Sequence, residues 1–190
     1  MHEYSCNDDK RNYISAVTLF VCILIAYLVS DVINSYIENT DPVTKILVFI
    51  LIMSPLTMWN RITNRLSGLF LKASGIKNCS GEYTGILKSS YDNFTDSHEV
   101  RLKIVHKFNV IEIRLDTDTS ISRSVTASLR QDGDRIDVTY TYENLGSVEM
   151  GLNRHIGTGI ITIENKTVKG VYYTHPDRST SGTFELKLEL

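Results

Sequence analysis

The sequence predicts two N-terminal transmembrane α-helices followed by an all-β domain, an eight-stranded antiparallel up-and-down β-barrel. Three observations predict this fold class. Two apolar stretches lie within the first 62 residues, alternation of apolar and polar residues begins near residue 79, and turn residues separate the alternating runs. The chain therefore divides into a membrane region, 1–78, and a β-domain, 79–190.

The first apolar stretch runs from Ile14 to Val29 and contains no charged residue. It predicts a transmembrane helix over about 13–33, because a bilayer requires about 20 largely apolar residues. A signal peptide is the alternative, but no small-residue cleavage site follows the stretch.

The second apolar stretch, Ile46 to Trp59, is shorter and taken alone would also suit a buried helix of a soluble protein. Lys45 and Arg61 can extend it, because long basic side chains reach from the bilayer edge to water. The prediction is a second transmembrane helix over about 43–62. Pro55 within it is tolerated, as prolines are in membrane helices.

The basic residues around the two stretches predict the membrane topology. Lys10 and Arg11 precede the first stretch, Arg61 and Arg65 follow the second, and the connector 31–44 has no Lys or Arg. The positive-inside rule then places the N-terminus and the β-domain in the cytoplasm.

Residues 62–78 link the membrane region to the β-domain. Apolar residues at helical spacing predict an amphipathic helix along the interface that stops at Gly75. A flexible linker is the alternative.

The β-domain follows from alternation of period two. Val100, Leu102 and Ile104 alternate with charged residues, and turn signals such as Asp132-Gly133 bound the runs. The eight predicted strands are 80–89, 98–107, 109–116, 121–130, 134–143, 155–164, 167–174 and 179–189. Closure of the last strand on the first would remove an exposed hydrophobic edge.

The loop lengths predict where a site would lie. In an up-and-down barrel alternate loops emerge at one end, and the longer predicted loops all share one end, while the tight turns share the end that faces the membrane. Function tends to lie on such loops. The candidate ligand-binding residues near this mouth are Arg123, Tyr142, Asn144, Arg154, His155, Tyr172, Thr174, Arg178 and Thr180. The alternatives are that the arginines are solvated loop charges and that the tyrosines fill the barrel.

Composition narrows the function. From residue 79 the chain has 13 Lys and Arg against 16 Asp and Glu, which disfavours a polymer nucleic acid as partner. The three cysteines, Cys6, Cys22 and Cys79, lie far apart and suggest neither a disulfide framework nor a metal site. The histidines lack metal-ligand spacing and the serines lack a nucleophile elbow, so we expect no enzyme.

Several segments carry a family resemblance. They are Ser80–Gly85, Thr119–Ser124, Tyr140–Asn144, His155–Gly159, Lys169–Thr174 and Arg178–Gly182. In this order behind two apolar stretches they resemble the two-transmembrane, β-strand-rich effectors of bacterial cyclic-oligonucleotide anti-phage signalling systems (CBASS). One departure is Tyr83, where many relatives would carry Trp.

The resemblance implies a function. The barrel would bind a cyclic dinucleotide, without a cofactor, made in infected cells by a partner nucleotidyltransferase. Binding would drive homo-oligomerisation through the transmembrane helices, disrupt the lipid bilayer of the bacterial inner membrane and cause abortive infection. On this hypothesis Arg123, Arg154 and Arg178 pair with phosphates. Tyr142, Asn144 and Thr174 would stack on or read the bases.

Two other functions stay open at this point. A membrane-anchored, lipocalin-like lipid- or hydrophobe-binding protein would require a wide apolar cavity. A membrane-anchored enzyme acting on lipid or cell-wall precursors would require a nucleophile and a base, and the motifs supply neither.

Overall fold

The protein is described by a computed structural model over residues 1–7, 9–37, 41–44, 46, 50, 54, 58–118, 120–145, 154–174 and 179–189. The chain divides into two compact units. The β unit contains Met1–Asp8 together with Ile76–Leu190, and the helical unit is Asp9–Gly75.

The helical unit contains α1 (Asp9–Ile37), α2 (Trp59–Arg65) and α3 (Ser67–Ser74). Among the described residues, one segment, Lys10–Val29 of α1, is long and apolar enough to cross a bilayer. Half of the second predicted span, 43–62, lies outside the described residues. α3 ends at the predicted stop, where Gly75 adopts a φ of 74° and its N–H bonds to carbonyl groups of the last turn.

The β unit has nine strands in the described part of the chain. They are β1 (His2–Cys6), β2 (Gly81–Ser89), β3 (His98–His106), β4 (Val110–Thr117), β5 (Ile121–Asp132), β6 (Arg135–Asn144), β7 (His155–Glu164), β8 (Thr167–Thr174) and β9 (Ser181–Leu188). A 3₁₀ turn, Ser90–Asp92, follows β2. All eight predicted strands are present, which confirms the all-β domain, and β1 is a strand that the prediction missed.

The strands form one sheet that closes on itself. Consecutive strands from β2 to β9 pair antiparallel, although β4 and β5 pair only from Arg114↔Arg123 to Asp116↔Ile121. The last strand pairs with the first of the eight, from Tyr83↔Leu188 to Ser89↔Gly182, so the predicted closure is confirmed.

β1 occupies the gap that opens where β4 and β5 separate. It pairs antiparallel with β4 at His2↔Ile111 and parallel with β5 from Tyr4↔Ala127 to Cys6↔Leu129. The assignment of all of residues 1–78 to the membrane region is therefore corrected for the first residues. Five residues with two apolar side chains give too weak a period-two signal to be recognised from sequence.

The tight-turn end of the sheet is packed. Leu102, Ile113, Val138, Ile161 and Leu186 point inward and are at most 1% exposed. Alternation puts them on one face of their strands, and their burial supplies the main driving force for closing the sheet.

A hydrogen-bonded cluster ties β1 to this packed end. The Nε2 atom of His106 lies 2.9 Å from the Tyr4 hydroxyl, which donates to the carbonyl of Phe108 at 3.2 Å. The Nδ1 atom of His106 accepts the Cys79 N–H at 3.3 Å, so Nε2 carries the proton in the neutral ring. The cluster therefore joins the strand before α1 to the segment after α3.

Both junctions with the helical unit lie at this same end. The Asn7 N–H bonds to the carbonyl of Leu129, and the Lys77 N–H bonds to the Gln131 side chain. Leu129 and Gln131 belong to the last part of β5, just before the tight turn to β6. The opposite end of the sheet, where the longer loops lie, carries neither junction.

Candidate ligand-binding cavity

A cavity of about 410 Å³ opens at the long-loop end of the sheet. Its wall comes from the ends of β2, β4, β6 and β8, from the starts of β3, β5 and β7, and from connections between strands, including Thr180 just before β9. Sites for small molecules commonly measure about 300–1,000 Å³. This position agrees with the expectation from the sequence that the opening lies at the long-loop end.

Tyrosines form the deep part of the cavity, and glycines on neighbouring strands make room for them. Tyr142 lies across from Gly157, and Tyr140 lies across from Gly159. A Cβ atom on Gly159 would stand 2.6 Å from Cε1 of Tyr140, and one on Gly157 would also meet the Tyr142 ring. The Gly157-Thr158-Gly159 segment is thus a close-packing feature.

Burial keeps these phenols protonated. Desolvation raises the pKa of Tyr140 and Tyr142 above the usual value for a phenol, because the charged form loses its hydration. It also raises the pKa of Tyr172, whose hydroxyl donates to Ser89 Oγ at 3.0 Å. The cavity therefore presents neutral O–H groups.

An amide on β6 organises one side of the opening. Asn144 is buried and its Nδ2 donates to Ser122 Oγ at 2.9 Å and to Ser120 Oγ at 3.1 Å. With both donors directed at the serines, the geometry fixes the amide so that its carbonyl oxygen faces away from them. The side chain is held rigid, which suits a group that discriminates between ligands.

The structure brings six of the nine predicted site residues together. Those that line the cavity are Tyr142, Asn144, His155, Tyr172, Thr174 and Thr180. Arg178 lies outside the described residues, so its role stays a prediction.

Arg123 and Arg154 do not reach the cavity. Arg123 is exposed and lies on the outer face of β5, where its neighbour Ser122 takes the inward position. Arg154 is exposed and bonds Glu143 through Nε at 2.6 Å. The described lining gives no support to the predicted phosphate contacts of these two arginines, which stay a prediction.

Ten lining residues were not predicted from the sequence. They are Leu87, Ser89, Tyr91, His98, Leu115, Thr117, Asp118, Ser120, Ser122 and Tyr140. Their common signal is position, because each lies within a few residues of a long-loop strand end. Searching those ends for hydroxyls as well as for cations would have found the Ser and Thr members.

The described wall of the cavity contains no Lys or Arg, and Asp118 is its one carboxylate. Near the opening, His98 Nε2 lies 2.9 Å from Asp92 Oδ2. The donors that the described lining offers to an anion are therefore hydroxyl and imidazole groups. Hydrogen bonds from neutral donors to an ionised group are still stronger than those between neutral groups.

A closed sheet with a polar, tyrosine-floored cavity at one end defines a small-ligand-binding domain. Residues 74–188 match the family described as Cap15, cyclic dinucleotide receptor domain. The match covers more than half of the chain, so the chain belongs to this family. A search of curated proteins found no match. The resemblance to CBASS effectors is thereby confirmed at the level of the Cap15-type receptor domain and its class of ligand.

Proposed function

We propose that this protein is a membrane-anchored anti-phage effector whose cavity binds a cyclic dinucleotide. Binding drives oligomerisation through the membrane helices, disrupts the bacterial inner membrane and causes abortive infection. One observation carries the proposal: the cyclic dinucleotide receptor domain, 74–188, contains β2–β9, the eight strands that surround the 410 Å³ cavity.

The strand order supports a topology with two spans. β1 and β2–β9 belong to one sheet, so the chain leaves the β unit before α1 and returns to it at Ile76. If α1 crosses a bilayer, the chain must cross back before Ile76, because both parts of one sheet lie on one side. This supports the predicted second span at 43–62. The N-terminus and the β unit then share one side of the membrane, and the basic residues beside the spans favour the cytoplasm for it.

The proposal makes the protein a receptor and not an enzyme. Its signal comes from a nucleotidyltransferase that makes cyclic dinucleotides, and it uses neither a cofactor nor a nucleic acid polymer. The hydroxyl-lined cavity supports this over a lipocalin-like function. A lipid tail makes no hydrogen bonds to Ser and Thr hydroxyls, whereas a phosphodiester oxygen can accept them.

The test uses the full chain in lipid nanodiscs. A fragment starting at residue 79 would lack β1 and leave a gap between β4 and β5, so it does not represent the native sheet. Calorimetric titration would compare 3′,3′- and 2′,3′-cyclic dinucleotides with linear dinucleotides of the same bases. We expect tight binding of one cyclic member and weak binding of its linear counterpart.

Matched variants place the binding in the cavity. Asn144→Leu removes the amide inside the cavity, whereas Thr141→Val removes a hydroxyl on the outer face, where Thr141 bonds Thr126. The first should abolish tight binding and the second should preserve it. The same proteins in dye-filled liposomes test membrane disruption, since the ligand should release dye only where it binds.

Two outcomes contradict the proposal. A folded full chain that binds no cyclic dinucleotide, but binds a fluorescent fatty acid, would establish a hydrophobe-binding protein. Tight cyclic dinucleotide binding without dye release or a change in oligomeric state would support the receptor role and contradict the proposed membrane disruption.

A further inference from the structure

The mouth of the cavity contains the same hydrogen-bonded pair twice. In the β4–β5 connection, Thr117 Oγ1 accepts the Ser120 N–H at 3.1 Å and lies 3.1 Å from Ser120 Oγ. In the β8–β9 connection, Thr174 Oγ1 accepts the Thr180 N–H at 3.1 Å and lies 2.6 Å from Thr180 Oγ1. In both pairs the first threonine's N–H donates to the partner's carbonyl at 2.9 Å. We call these pairs the hydroxyl clasps.

The two clasps lie on opposite sides of the mouth. β1 pairs only near the other end, so eight strands surround the mouth in the order β4, β3, β2, β9, β8, β7, β6, β5. Four strands separate the β4–β5 boundary from the β8–β9 boundary in either direction around the ring. A two-fold rotation about the axis of the sheet therefore relates one clasp to the other.

Other mouth residues follow the same rotation. It places β3 on β7, and each of these strands begins with a histidine that lines the cavity, His98 and His155. It also places β2 on β6, and each ends in a buried polar residue of the cavity, Ser89 and Asn144. The approximate symmetry thus extends beyond the clasps to the imidazoles beside them.

Each clasp has a hydroxyl hydrogen that can turn to a ligand. A clasp contains two O–H groups, and one of them is sufficient to bond its two oxygens internally. The Thr117 and Thr174 hydroxyls also lie 3.3 and 3.1 Å from the carbonyl oxygens of Ser120 and Thr180, to which they can donate. When the threonine donates to its partner's hydroxyl oxygen instead, the Ser120 or Thr180 hydroxyl can donate into the cavity. Such donors suit a phosphodiester oxygen, which is an acceptor only.

We propose that the two clasps bind the two phosphodiesters of one cyclic dinucleotide, so that a single chain holds the ligand on an approximate two-fold axis. A 3′,3′-linked ring has two equivalent phosphodiesters related by such an axis, whereas a 2′,3′-linked ring has two unequal linkages. The site therefore prefers 3′,3′-linked ligands. This inference rests on the proposed function and specifies which groups recognise the phosphates.

The symmetry within one chain also fixes the stoichiometry. A receptor that uses a dimer axis binds one symmetric ligand per two chains. Here both clasps that the axis relates belong to one chain. Each chain therefore binds one ligand, before and after any oligomerisation.

The experiment is calorimetric titration of the full chain in nanodiscs with 3′,3′- and 2′,3′-linked forms of the same two nucleotides. Ser120→Ala and Thr180→Val each remove one clasp hydroxyl. Ser120→Thr and Thr180→Ser keep it and serve as rescue variants, and Thr141→Val on the outer face is the control for a lost hydroxyl. Thermal unfolding of every variant checks that the sheet remains folded.

We expect one ligand per chain for the wild type, with the 3′,3′ form tighter. Each hydroxyl-removing variant should lose affinity by a similar factor, roughly 10- to 150-fold for a hydrogen bond to a charged group. The rescue and control variants should bind like the wild type.

Several results overturn the inference while leaving the proposed function in place. These are tight binding with half a ligand per chain, a loss of affinity in only one clasp, or unchanged affinity in both folded clasp variants. Failure of the folded wild type to bind any cyclic dinucleotide would instead overturn the proposed function and the inference with it.

Discussion

Gly159→Ala is expected to destabilise the β unit and to close part of the cavity. The added Cβ would lie 2.6 Å from both Cε1 and the hydroxyl oxygen of Tyr140, far inside the 3.5–4.0 Å at which carbon atoms pack. Tyr140 is 3% exposed, so its ring cannot move to solvent. It can only move into the cavity that it lines.

The expected loss of unfolding free energy follows from overpacking a tightly packed interior. Such substitutions cost about 1–3 kcal/mol of unfolding free energy. At roughly 4 °C per kcal/mol for a domain of this size, the melting temperature should fall by roughly 4–12 °C. Ligand affinity should fall as well, because the displaced ring occupies space that the ligand requires.

The assay is thermal unfolding of the full chain in detergent, followed by titration with the ligand. Tyr140→Leu removes the atoms that the new methyl group would meet, so the double variant should lose less stability than the sum of the single variants. Gly68→Ala in α3 is the control, since a Cβ there meets nothing within 4 Å and alanine favours a helix. An unchanged melting temperature for Gly159→Ala, or strict additivity in the double variant, would refute the reasoning.

Three further predictions concern other parts of the β unit. Tyr4→Phe leaves the buried His106 ring without its hydroxyl partner and should cost about 1–3 kcal/mol of unfolding free energy in a denaturant titration; an unchanged midpoint would show that this bond does not hold β1. Arg123→Ala and Arg154→Ala should change ligand affinity by no more than about twofold, because both side chains lie outside the cavity, and a tenfold loss in titration would contradict this placement. Burial raises the pKa of the Cys79 thiol from 9.0 to about 12, so the thiol's contribution to the unfolding free energy should be constant below about pH 8 and fall as the pH rises towards 12. The thiol's share of that loss is about 1 kcal/mol at pH 10, and Cys79→Ala should remove it.

The strands could be predicted because their inward residues are apolar and their outward residues are charged. Val100, Leu102 and Ile104 are all buried, whereas Arg101 and Lys103 between them are exposed. β1 escaped prediction because its position is determined by the gap between β4 and β5 and not by its own pattern. A single buried tyrosine, Tyr4, supplies most of its contribution to the core.

The candidate site was harder to predict because it depends on which face each residue takes. β5 begins Ile121-Ser122-Arg123, with no apolar alternation to show the inward face. Its pairing with β6 also shifts between Ser124 and Thr126, which leaves Val125 52% exposed. A bulge of this kind exchanges the two faces of a strand, so a period-two reading cannot be carried through it.

The described cavity wall has no Lys or Arg and a single carboxylate, Asp118, and this determines what the proposed site can distinguish. A pocket built from arginines would attract any polyphosphate, because charge attraction acts over distance and tolerates poor geometry. Hydroxyls such as those of Ser120 and Thr180 contribute only when an acceptor lies at hydrogen-bond distance and angle. Two such contacts on opposite sides of the mouth can be made together only by phosphodiesters held at a fixed separation. A cyclic dinucleotide meets that condition in solution, whereas a linear one must lose conformational freedom to do so. Selection of cyclic over linear nucleotides therefore follows from the rigidity of both the site and the ligand. The strand ends fix the hydroxyl clasps, and the ligand ring fixes the phosphates.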